Sequence, residues 1–115
     1  MAYFDGMVCA VPTENKALLK AHAEQVAKLV KDHGALAVVD GWGDDVPEGR
    51  INSFHTAVMR EPHETIVFSW ITWPDRETRN AGWQKIMADS AMADQPMPFD
   101  GSRMIMGGFE MLVEA

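Results

Sequence analysis

The stretch Ile66-Val67-Phe68-Ser69-Trp70-Ile71-Thr72-Trp73 is the clearest β-strand in the sequence, and the rest of the chain is interpreted outward from it. Nearly all of its residues are β-branched or aromatic, a composition typical of strands, and Pro74 follows it. Side chains alternate between the two faces of a strand. One face carries Ile66, Phe68, Trp70 and Thr72, and the other carries Val67, Ser69, Ile71 and Trp73. Because both sets are largely apolar, the strand is expected to be buried on both sides.

The length of 115 residues predicts one domain, 1–115, with a sizeable hydrophobic core. Asp and Glu number 17 against 10 Lys and Arg, which gives a formal net charge of −7. The basic residues are scattered singly from Lys16 to Arg103, whereas binding to nucleic acid or to an anionic membrane requires clustered Lys and Arg. The composition therefore predicts a protein without nucleic-acid or membrane partners.

Three further features bear on the compartment. No apolar run approaches the ~20 residues of a membrane span. The first residues, Met1–Asp5, carry neither the basic segment nor the apolar core of a signal peptide. The single cysteine, Cys9, excludes an internal disulfide. These features predict a cytoplasmic protein.

The segments around the quoted strand alternate between strand and helix patterns. Strands are predicted at Tyr3–Val11, Ala35–Trp42 and Arg103–Val113, helices at Thr13–His33 and Arg76–Ala88, an extended piece at Asn52–Met59 and an irregular connection at Ser90–Gly101. Thr13 and Asp75 are the predicted N-caps, and Gly34 is the predicted left-handed C-cap. In the second helix, the residues predicted to face inwards are Ala81, Ile86 and Met87. The order βαββαβ closes most simply as a ferredoxin-like, antiparallel α+β sheet with both helices on one face.

Two helices cover one face of such a sheet and leave the other face bare. The last strand is apolar on both sides, with Met104 and Met106 on one and Ile105 and Phe109 on the other. A bare apolar face of this kind would exceed the few hundred Å² of contiguous apolar surface that soluble monomers usually expose. The sequence therefore predicts a homodimer whose open sheet faces pack together, burying roughly 800 Å² or more per partner.

Several motifs also occur together in a fixed order. They are His33-Gly34-Ala35-Leu36, Gly43-Asp44-Asp45-Val46-Pro47, Val67-Phe68-Ser69-Trp70-Ile71, Met97-Pro98-Phe99-Asp100-Gly101, Arg103-Met104-Ile105 and Gly107-Gly108-Phe109. With this series the chain resembles the small bacterial proteins of the DUF1428, or YbaA-like, family over essentially its whole length. The resemblance implies a dimeric α+β barrel, a superfamily that includes cofactor-free monooxygenases, isomerases, decolourising peroxidases and stress-related binding proteins. It carries over no catalytic residue, because the family has no established reaction.

Two histidines, His22 and His33, lie on the apolar stripe of the first predicted helix. Either could face a cavity between helix and sheet and bind a ligand or relay a proton. His33 is also explained as a residue at a helix C-terminus, where the helix dipole favours it, and His22 as a histidine satisfied within the core. The two lie about 16 Å apart along the axis at 1.5 Å per residue, so they cannot share a metal ion.

Phe68, Trp70, Met104 and Met106 are the other candidates for lining a ligand cavity. Aromatic and methionine side chains occur in ligand pockets, but they are more commonly residues of a core or an interface. The sequence contains no zinc-type spacing of Cys and His, no nucleotide-binding fingerprint and no Ser/His/Asp order. It therefore predicts no metal and no cofactor.

These observations predict a cytoplasmic dimer that binds a small molecule in a mostly apolar cavity between the helices and the sheet. An alternative is a cofactor-free monooxygenase or isomerase of the same architecture, with His33 as its base. A third is a partner-binding module without a ligand site. The sequence specifies neither a substrate nor a pathway.

Overall fold

The computed structural model describes residues 1–89 and 96–115. The strands are β1 (Tyr3–Pro12), β2 (Ala37–Trp42), β3 (Glu64–Trp73) and β4 (Ile105–Glu110), and the helices are α1 (Lys16–Asp32), α2 (Phe54–Ala57) and α3 (Arg76–Ala88). Short 3-10 turns at Thr13–Asn15 and Gly101–Arg103 precede α1 and β4. Residues 90–95 of the predicted irregular connection lie outside the described residues.

The four strands form one antiparallel sheet in the order β2-β3-β1-β4. β1 lies between β3 and β4, with Tyr3 opposite Trp73 on one side and opposite Glu110 on the other. The chain therefore has the α+β architecture with an antiparallel sheet that its sequence predicts.

Burial confirms the alternation predicted for β3. Its most deeply buried alternating residues, each at most 6% exposed, are Val67, Ser69, Ile71 and Trp73. On the opposite side, Phe68 is 41% exposed and Trp70 is 39% exposed, so within the single chain the strand is not buried on both sides as its sequence predicts. Val30 of α1 and Ile86 of α3 belong to one core cluster with Trp73. Both long helices thus pack on the same side of the sheet, which we call the helix face.

The opposite side of the sheet is covered at one end by the segment between β2 and β3. There Val58 packs with Ala10 and Ile66, and each of the three is at most 3% exposed. Farther along, large apolar side chains of β2, β3 and β4 are accessible. Those that are 39–51% exposed are Val39, Phe68, Trp70, Ile105 and Phe109. We call the surface that these five residues form the open face.

The segment Asn52–Met59 contains the short helix α2, so the prediction that it is extended is wrong. Ser53 is the N-cap, and its hydroxyl accepts a hydrogen bond from the Thr56 N–H at 3.0 Å. The Thr56 hydroxyl in turn accepts from the Ser53 N–H at 3.0 Å. This reciprocal capping box satisfies the first N–H groups of a helical turn, which favours the turn over an extended chain. Phe54 then packs edge-on against Phe68, with ring centroids 5.7 Å apart.

Two of the three predicted helix-end residues are confirmed. Asp75 caps α3, and its carboxylate accepts a hydrogen bond from the Thr78 N–H at 2.7 Å. Gly34 has a φ of 107°, and the N–H groups of residues 34 and 35 donate to carbonyls of the last turn of α1. Thr13 is not an N-cap, because it begins the 3-10 turn and its hydroxyl lies 2.7 Å from that of Thr65.

The inward side of α3 differs in part from the prediction. Ile86 is 2% exposed, as predicted, but Met87 is 74% exposed and Ala81 is also exposed. Trp83 packs against the core instead, and its Nε1 donates a hydrogen bond to Asp5 at 2.8 Å. This bond orients the helix so that the side bearing Trp83 and Ile86 faces the sheet, and Met87 points to solvent.

Candidate functional site

The six residues that the sequence suggests for a ligand cavity do not form one site. Phe68 and Trp70 lie on the open face, Met104, Met106 and His22 lie on the helix side of the sheet, and His33 lies at the end of α1. The sheet therefore separates the two aromatic residues from the methionines and histidines. A cavity between helices and sheet can include members of the second group only.

His22 is half-buried on α1, and its ring packs edge-on against Phe99, with centroids 6.4 Å apart and an interplanar angle of 80°. Burial lowers the pKa of His22, and the negative charge of Asp40 partly opposes this shift. Burial of the ring thus favours the neutral form of the imidazole. A neutral imidazole offers one hydrogen-bond donor and one acceptor.

A cleft of about 360 Å³ lies beside His22. Its lining residues are Asn15, Leu18, Ala21, His22, Gln25, Pro96, Met97 and Pro98. One face of α1 contributes Leu18, Ala21, His22 and Gln25, because residues three and four apart are neighbours on a helix surface. The Asn15 side chain donates to the Pro98 carbonyl at 3.0 Å, which joins the wall formed by α1 to the wall formed by residues 96–98.

A polar group lies in the sheet on the same side. The Ser69 hydroxyl donates to the Asp40 carboxylate at 2.6 Å. Cys9, on β1, is 6% exposed, and burial, with a smaller contribution from Asp40, raises the pKa of its thiol to about 12. Such a thiol stays protonated and unreactive. Neither Asp40 nor Ser69 is predicted from the sequence as a site residue, although each is a polar residue inside an otherwise apolar strand.

His33 occupies the end of α1, where its Nδ1 donates to the Leu29 carbonyl at 2.8 Å. The carbonyls of a last helical turn lack partners within the helix, and His33 satisfies one of them. This contact corresponds to the helix-end interpretation of His33. His33 is not among the residues that line the cleft beside His22.

The two methionines near the last strand have different surroundings. Met104 packs against the buried cluster that contains Cys9 and Leu19. Met106, on β4 opposite Met7 of β1, is 50% exposed. Neither lines the cleft beside His22. Met104 is thus a core residue, and Met106 borders the accessible part of the helix face.

The most completely satisfied polar group on the helix face is the carboxylate of Asp5, which is 0% exposed. Its Oδ2 accepts from Trp73 Nε1 at 3.0 Å and from Trp83 Nε1 at 2.8 Å. Its Oδ1 accepts from Arg79 Nε at 2.9 Å and Nη2 at 2.7 Å. These bonds raise the pKa of Arg79. With four donors bound, Asp5 has no lone pair left for a substrate, and its role is to hold α3 against β1.

Glu61, His63 and Glu64 bring potential metal-ligand atoms within 4.8 Å of one another. Both carboxylate oxygens of Glu64 accept hydrogen bonds from Arg103, at 2.8 and 2.6 Å. Glu61 and His63 are exposed, and His63 Nδ1 lies 3.7 Å from Glu61 Oε2. The Glu64 carboxylate is thus already bound by Arg103, and the cluster supplies no argument for a metal centre.

The open face is rich in aromatic contacts. Phe4 stacks on Phe109 with centroids 5.5 Å apart, and Phe68 packs edge-on against Trp70 with centroids 6.0 Å apart. The pairing of the strands places Val39 opposite Trp70. Neighbouring strands therefore contribute to a continuous apolar surface rather than to isolated exposed residues.

Among the described residues, no helix combines the length and the hydropathy needed to cross a membrane.

Comparison with known proteins gives matches to a family model and to individual proteins. The model of the family described as "Protein of unknown function (DUF1428)" matches residues 2–101. "Uncharacterized protein YbaA" of Escherichia coli (strain K12) is 46% identical over 116 residues, covering 99% of each chain, and the protein of the same name from Shigella flexneri matches equally. The resemblance seen in the sequence motifs is thus confirmed, and the chain belongs to the DUF1428 family.

Proposed function

We propose that this chain forms a homodimer of ferredoxin-like βαββαβ subunits, joined through the open face as a dimeric α+β barrel. We further propose that each subunit binds a small, uncharged molecule in the cleft beside His22. The strand order β2-β3-β1-β4 and the position of both long helices on one face support the subunit architecture. The cytoplasm is the compartment that the sequence features favour for it.

The composition of the open face supports the dimer. Strand pairing places these residues on that side of the sheet: Phe4, Gly6, Val8, Ala37, Val39, Gly41, Phe68, Trp70, Thr72, Ile105, Gly107 and Phe109. None of them is charged, although the chain as a whole carries a net charge of −7. Cores of protein interfaces are depleted of charge and enriched in aromatic residues. A second copy of the same face supplies matching apolar surface, as expected for two-fold pairing.

The observation that carries the ligand proposal is the half-buried His22 in a cleft whose other lining residues, among those described, carry no charge. All eight lining residues of the 360 Å³ cleft, among those described, lack a formal charge when His22 is neutral. The volume falls within the range of about 300–1,000 Å³ typical of small-molecule sites. Leu18, Met97 and Pro98 supply apolar surface, and His22 with the amides of Asn15 and Gln25 supplies hydrogen bonds. This lining favours an uncharged ligand with one or two polar groups.

The monooxygenase or isomerase alternative requires a base beside the substrate. His33 does not meet that requirement in this structure, because its Nδ1 is bound to the Leu29 carbonyl and it does not line the cleft. His22 is the imidazole that lies at the cleft, and it is available as a ligand-binding group. Binding is therefore the function that we propose.

The test is a thermal-shift screen of the purified protein against a library of uncharged metabolites. A ligand present at 100 times its Kd adds about 2.7 kcal/mol to the free energy of unfolding, which corresponds to a rise in Tm of roughly 10 °C for a domain of this size. We expect His22→Ala to weaken binding about tenfold, the usual effect of losing one hydrogen bond. His63→Ala, which alters an exposed histidine away from the cleft, is the matched control.

A screen without a stabilising compound would reject the ligand proposal. So would a ligand whose affinity is the same for the wild type, for His22→Ala and for a Leu18→Glu variant with a blocked cleft. Neither result bears on the dimer, which is tested separately by its mass in solution.

A further inference from the structure

A second cavity lies between the loop that follows β2 and the beginning of β3, and it shares no lining residue with the cleft beside His22. Its volume is about 170 Å³. Its lining residues are Gly43, Asp44, Val46, His55, Arg60, Glu64, Thr65 and Ile66. Unlike the first cleft, it brings side chains of both charges together.

The walls of this cavity are held in place by hydrogen bonds to backbone carbonyls. The Gly43 N–H donates to the Ile66 carbonyl at 2.7 Å, and a Cβ at Gly43 would lie 2.7 Å from the same oxygen. Only glycine therefore permits this approach of the loop to β3. On the other side, Arg60 Nε donates to the Glu64 carbonyl at 2.6 Å. A cavity fixed in this way requires little ordering when a ligand enters.

Arg60 supplies a positive charge that is not paired with any carboxylate in the part of the chain that the structure describes. Arg60 is a half-buried residue, and its guanidinium donates to the carbonyls of Glu64 and Pro62. Among the described residues, no carboxylate oxygen lies within 4.0 Å of it. The Glu64 carboxylate, which lines the same cavity, is bound at both oxygens by Arg103 instead. The cavity therefore has a fixed cation available for an anionic group.

His55 supplies a second donor. Its Nδ1 is shielded from solvent and has no hydrogen-bond partner among the described residues. An unpaired buried N–H is costly, so we assign the ring proton to Nε2. With Nδ1 enclosed, Nε2–H is the ring group that a ligand in this cavity can reach. An acceptor such as a carboxylate oxygen matches it.

We propose that this cavity binds a small zwitterion, with its carboxylate held by Arg60 and His55 and its ammonium group held by Asp44 at the exposed rim. The charges support this assignment: Arg60 contributes one positive charge, Asp44 one negative charge, and Glu64 is compensated by Arg103. A volume of 170 Å³ equals about five or six water molecules in the liquid, so the ligand has the size of glycine or alanine.

The test is a titration of the ¹⁵N-labelled wild type with glycine, acetate and ethylammonium at constant ionic strength. Glycine should produce saturable shifts of backbone amides in residues 43–66. Acetate and ethylammonium should each bind at least tenfold more weakly, because each satisfies only one of the two charges. Arg60→Gln should weaken glycine binding at least tenfold. Asp44→Asn should remove the preference of the cavity for glycine over acetate.

Asp45→Asn is the matched control, because Asp45 is exposed in the same loop but does not line the cavity. It should bind glycine as the wild type does. Arg60 also supports the loop, so circular dichroism checks whether Arg60→Gln is folded. If it is not, the binding preference of the exposed Asp44→Asn variant tests the proposal. The absence of saturable shifts with glycine, equal affinities for glycine and acetate in the wild type, or an unchanged preference in Asp44→Asn would each overturn the proposal.

Discussion

Arg103 and Glu64 form a two-point ion pair, with Nη1 of the arginine 2.8 Å from Oε1 of the carboxylate and Nη2 2.6 Å from Oε2. Nη1 also donates to the carbonyl of Met59 at 2.9 Å, and Met59 has the left-handed φ of 51°. Glu64 is 2% exposed and begins β3. One arginine therefore joins the turn before β4, the start of β3 and the segment that covers one end of the sheet.

This ion pair predicts a loss of stability in acid. The hydrogen bonds from Arg103 are the main cause that lowers the pKa of Glu64 to about 2. In the unfolded chain a glutamate titrates near pH ~4.3. Because the folded pKa is the lower one, the stabilisation is complete above the unfolded pKa and is lost as the pH falls from about 4.3 to about 2. Urea unfolding at a series of pH values should show the free energy of unfolding decreasing over that interval.

Glu64→Gln shows how much of the loss of stability in acid comes from Glu64 rather than from other carboxylates. The variant should lose about 2 kcal/mol at neutral pH, the usual cost of removing hydrogen bonds to a charged group. It should also show a shallower decrease in acid, with part of the slope remaining because hydrogen bonds also lower the pKa values of Asp75 and Asp100. Glu61→Gln, in the exposed turn next to it, should behave as the wild type. A Glu64→Gln variant whose free energy of unfolding falls in acid as steeply as that of the wild type would contradict the assignment.

Local patterns predicted the elements whose signals are contained within a few residues. Helix α3 begins and ends at the predicted Arg76 and Ala88, since Asp75 provides a cap that depends only on its neighbours. The two faces of β3 followed from alternation alone. β2 begins later than predicted because Ala35 belongs to the backbone motif that ends α1, and the 3-10 turn delays the start of β4.

The polar contacts were not predictable, because their partners are distant in sequence. Asp5 is bound by indoles that lie 68 and 78 residues away, and no pattern around Asp5 indicates them. Of the residues proposed for a ligand cavity, His22 lines a cleft between α1 and residues 96–98 rather than one between helices and sheet, whereas Phe68 and Trp70 lie on the other side of the sheet from it. Alternation showed that the two faces of β3 differ, but only the packing of the helices decides which face adjoins a cavity.

The Asp5 carboxylate is expected to be essential to the stability of the fold. Asp5→Asn replaces an acceptor of four hydrogen bonds with an amide and leaves the charge of Arg79 unpaired, so it should cost about 3 kcal/mol or more. Asp5→Asn combined with Arg79→Met should cost less than the sum of the single changes, because the unpaired charge is removed. Urea unfolding followed by tryptophan fluorescence measures both, with Asp45→Asn as the exposed control. Additive losses, or a single variant as stable as the wild type, would contradict this role.

Gly82 is predicted to be required where α3 crosses the end of α1. A Cβ at this position would lie 3.0 Å from two ring carbons of Trp73 and 3.2 Å from the His33 carbonyl. Gly82→Ala gains about 1 kcal/mol of helix propensity, but overpacking costs about 1–3 kcal/mol. Overpacking should prevail because Trp73 is 0% exposed and bonded to Asp5, so the ring cannot move aside.

Thermal unfolding of Gly82→Ala should therefore show a lower Tm than the wild type, with a net loss of about 1 kcal/mol. Gln84→Ala, at an exposed position of the same helix, should stay within about 0.5 kcal/mol of the wild type. A Gly82→Ala variant that is more stable than the wild type would mean that α3 can shift away from Trp73.

The thiol of Cys9 is predicted to be unreactive in the folded protein. Burial, with a smaller effect from Asp40, raises its pKa to about 12, so almost no thiolate exists at pH 8. Mass spectrometry after iodoacetamide treatment should show alkylation of Cys9 in concentrated urea and none in native buffer over the same time. Asp40→Asn removes the smaller cause and should leave native labelling slow. Native labelling as fast as labelling in urea would show that β1 opens.

The open face is predicted to be the dimer interface, with Trp70 near its centre. Trp70 lies opposite Val39 on one neighbouring strand and opposite Gly6 on the other, and it is 39% exposed in the single chain. Large aromatic residues at interface centres typically contribute 2 kcal/mol or more. Trp70→Glu should therefore raise the dissociation constant of the dimer at least about 30-fold.

Sedimentation equilibrium at micromolar concentration measures this change, since the wild type should have twice the mass of the 12.8 kDa chain. Met87→Glu introduces the same charge at a residue that is 74% exposed on α3, and it should remain dimeric. Circular dichroism should show both variants folded, because neither position is buried in the subunit. A wild type that sediments as a single chain, or a Trp70→Glu variant as strongly associated as Met87→Glu, would exclude the open face as the interface and require another explanation for its uncharged surface.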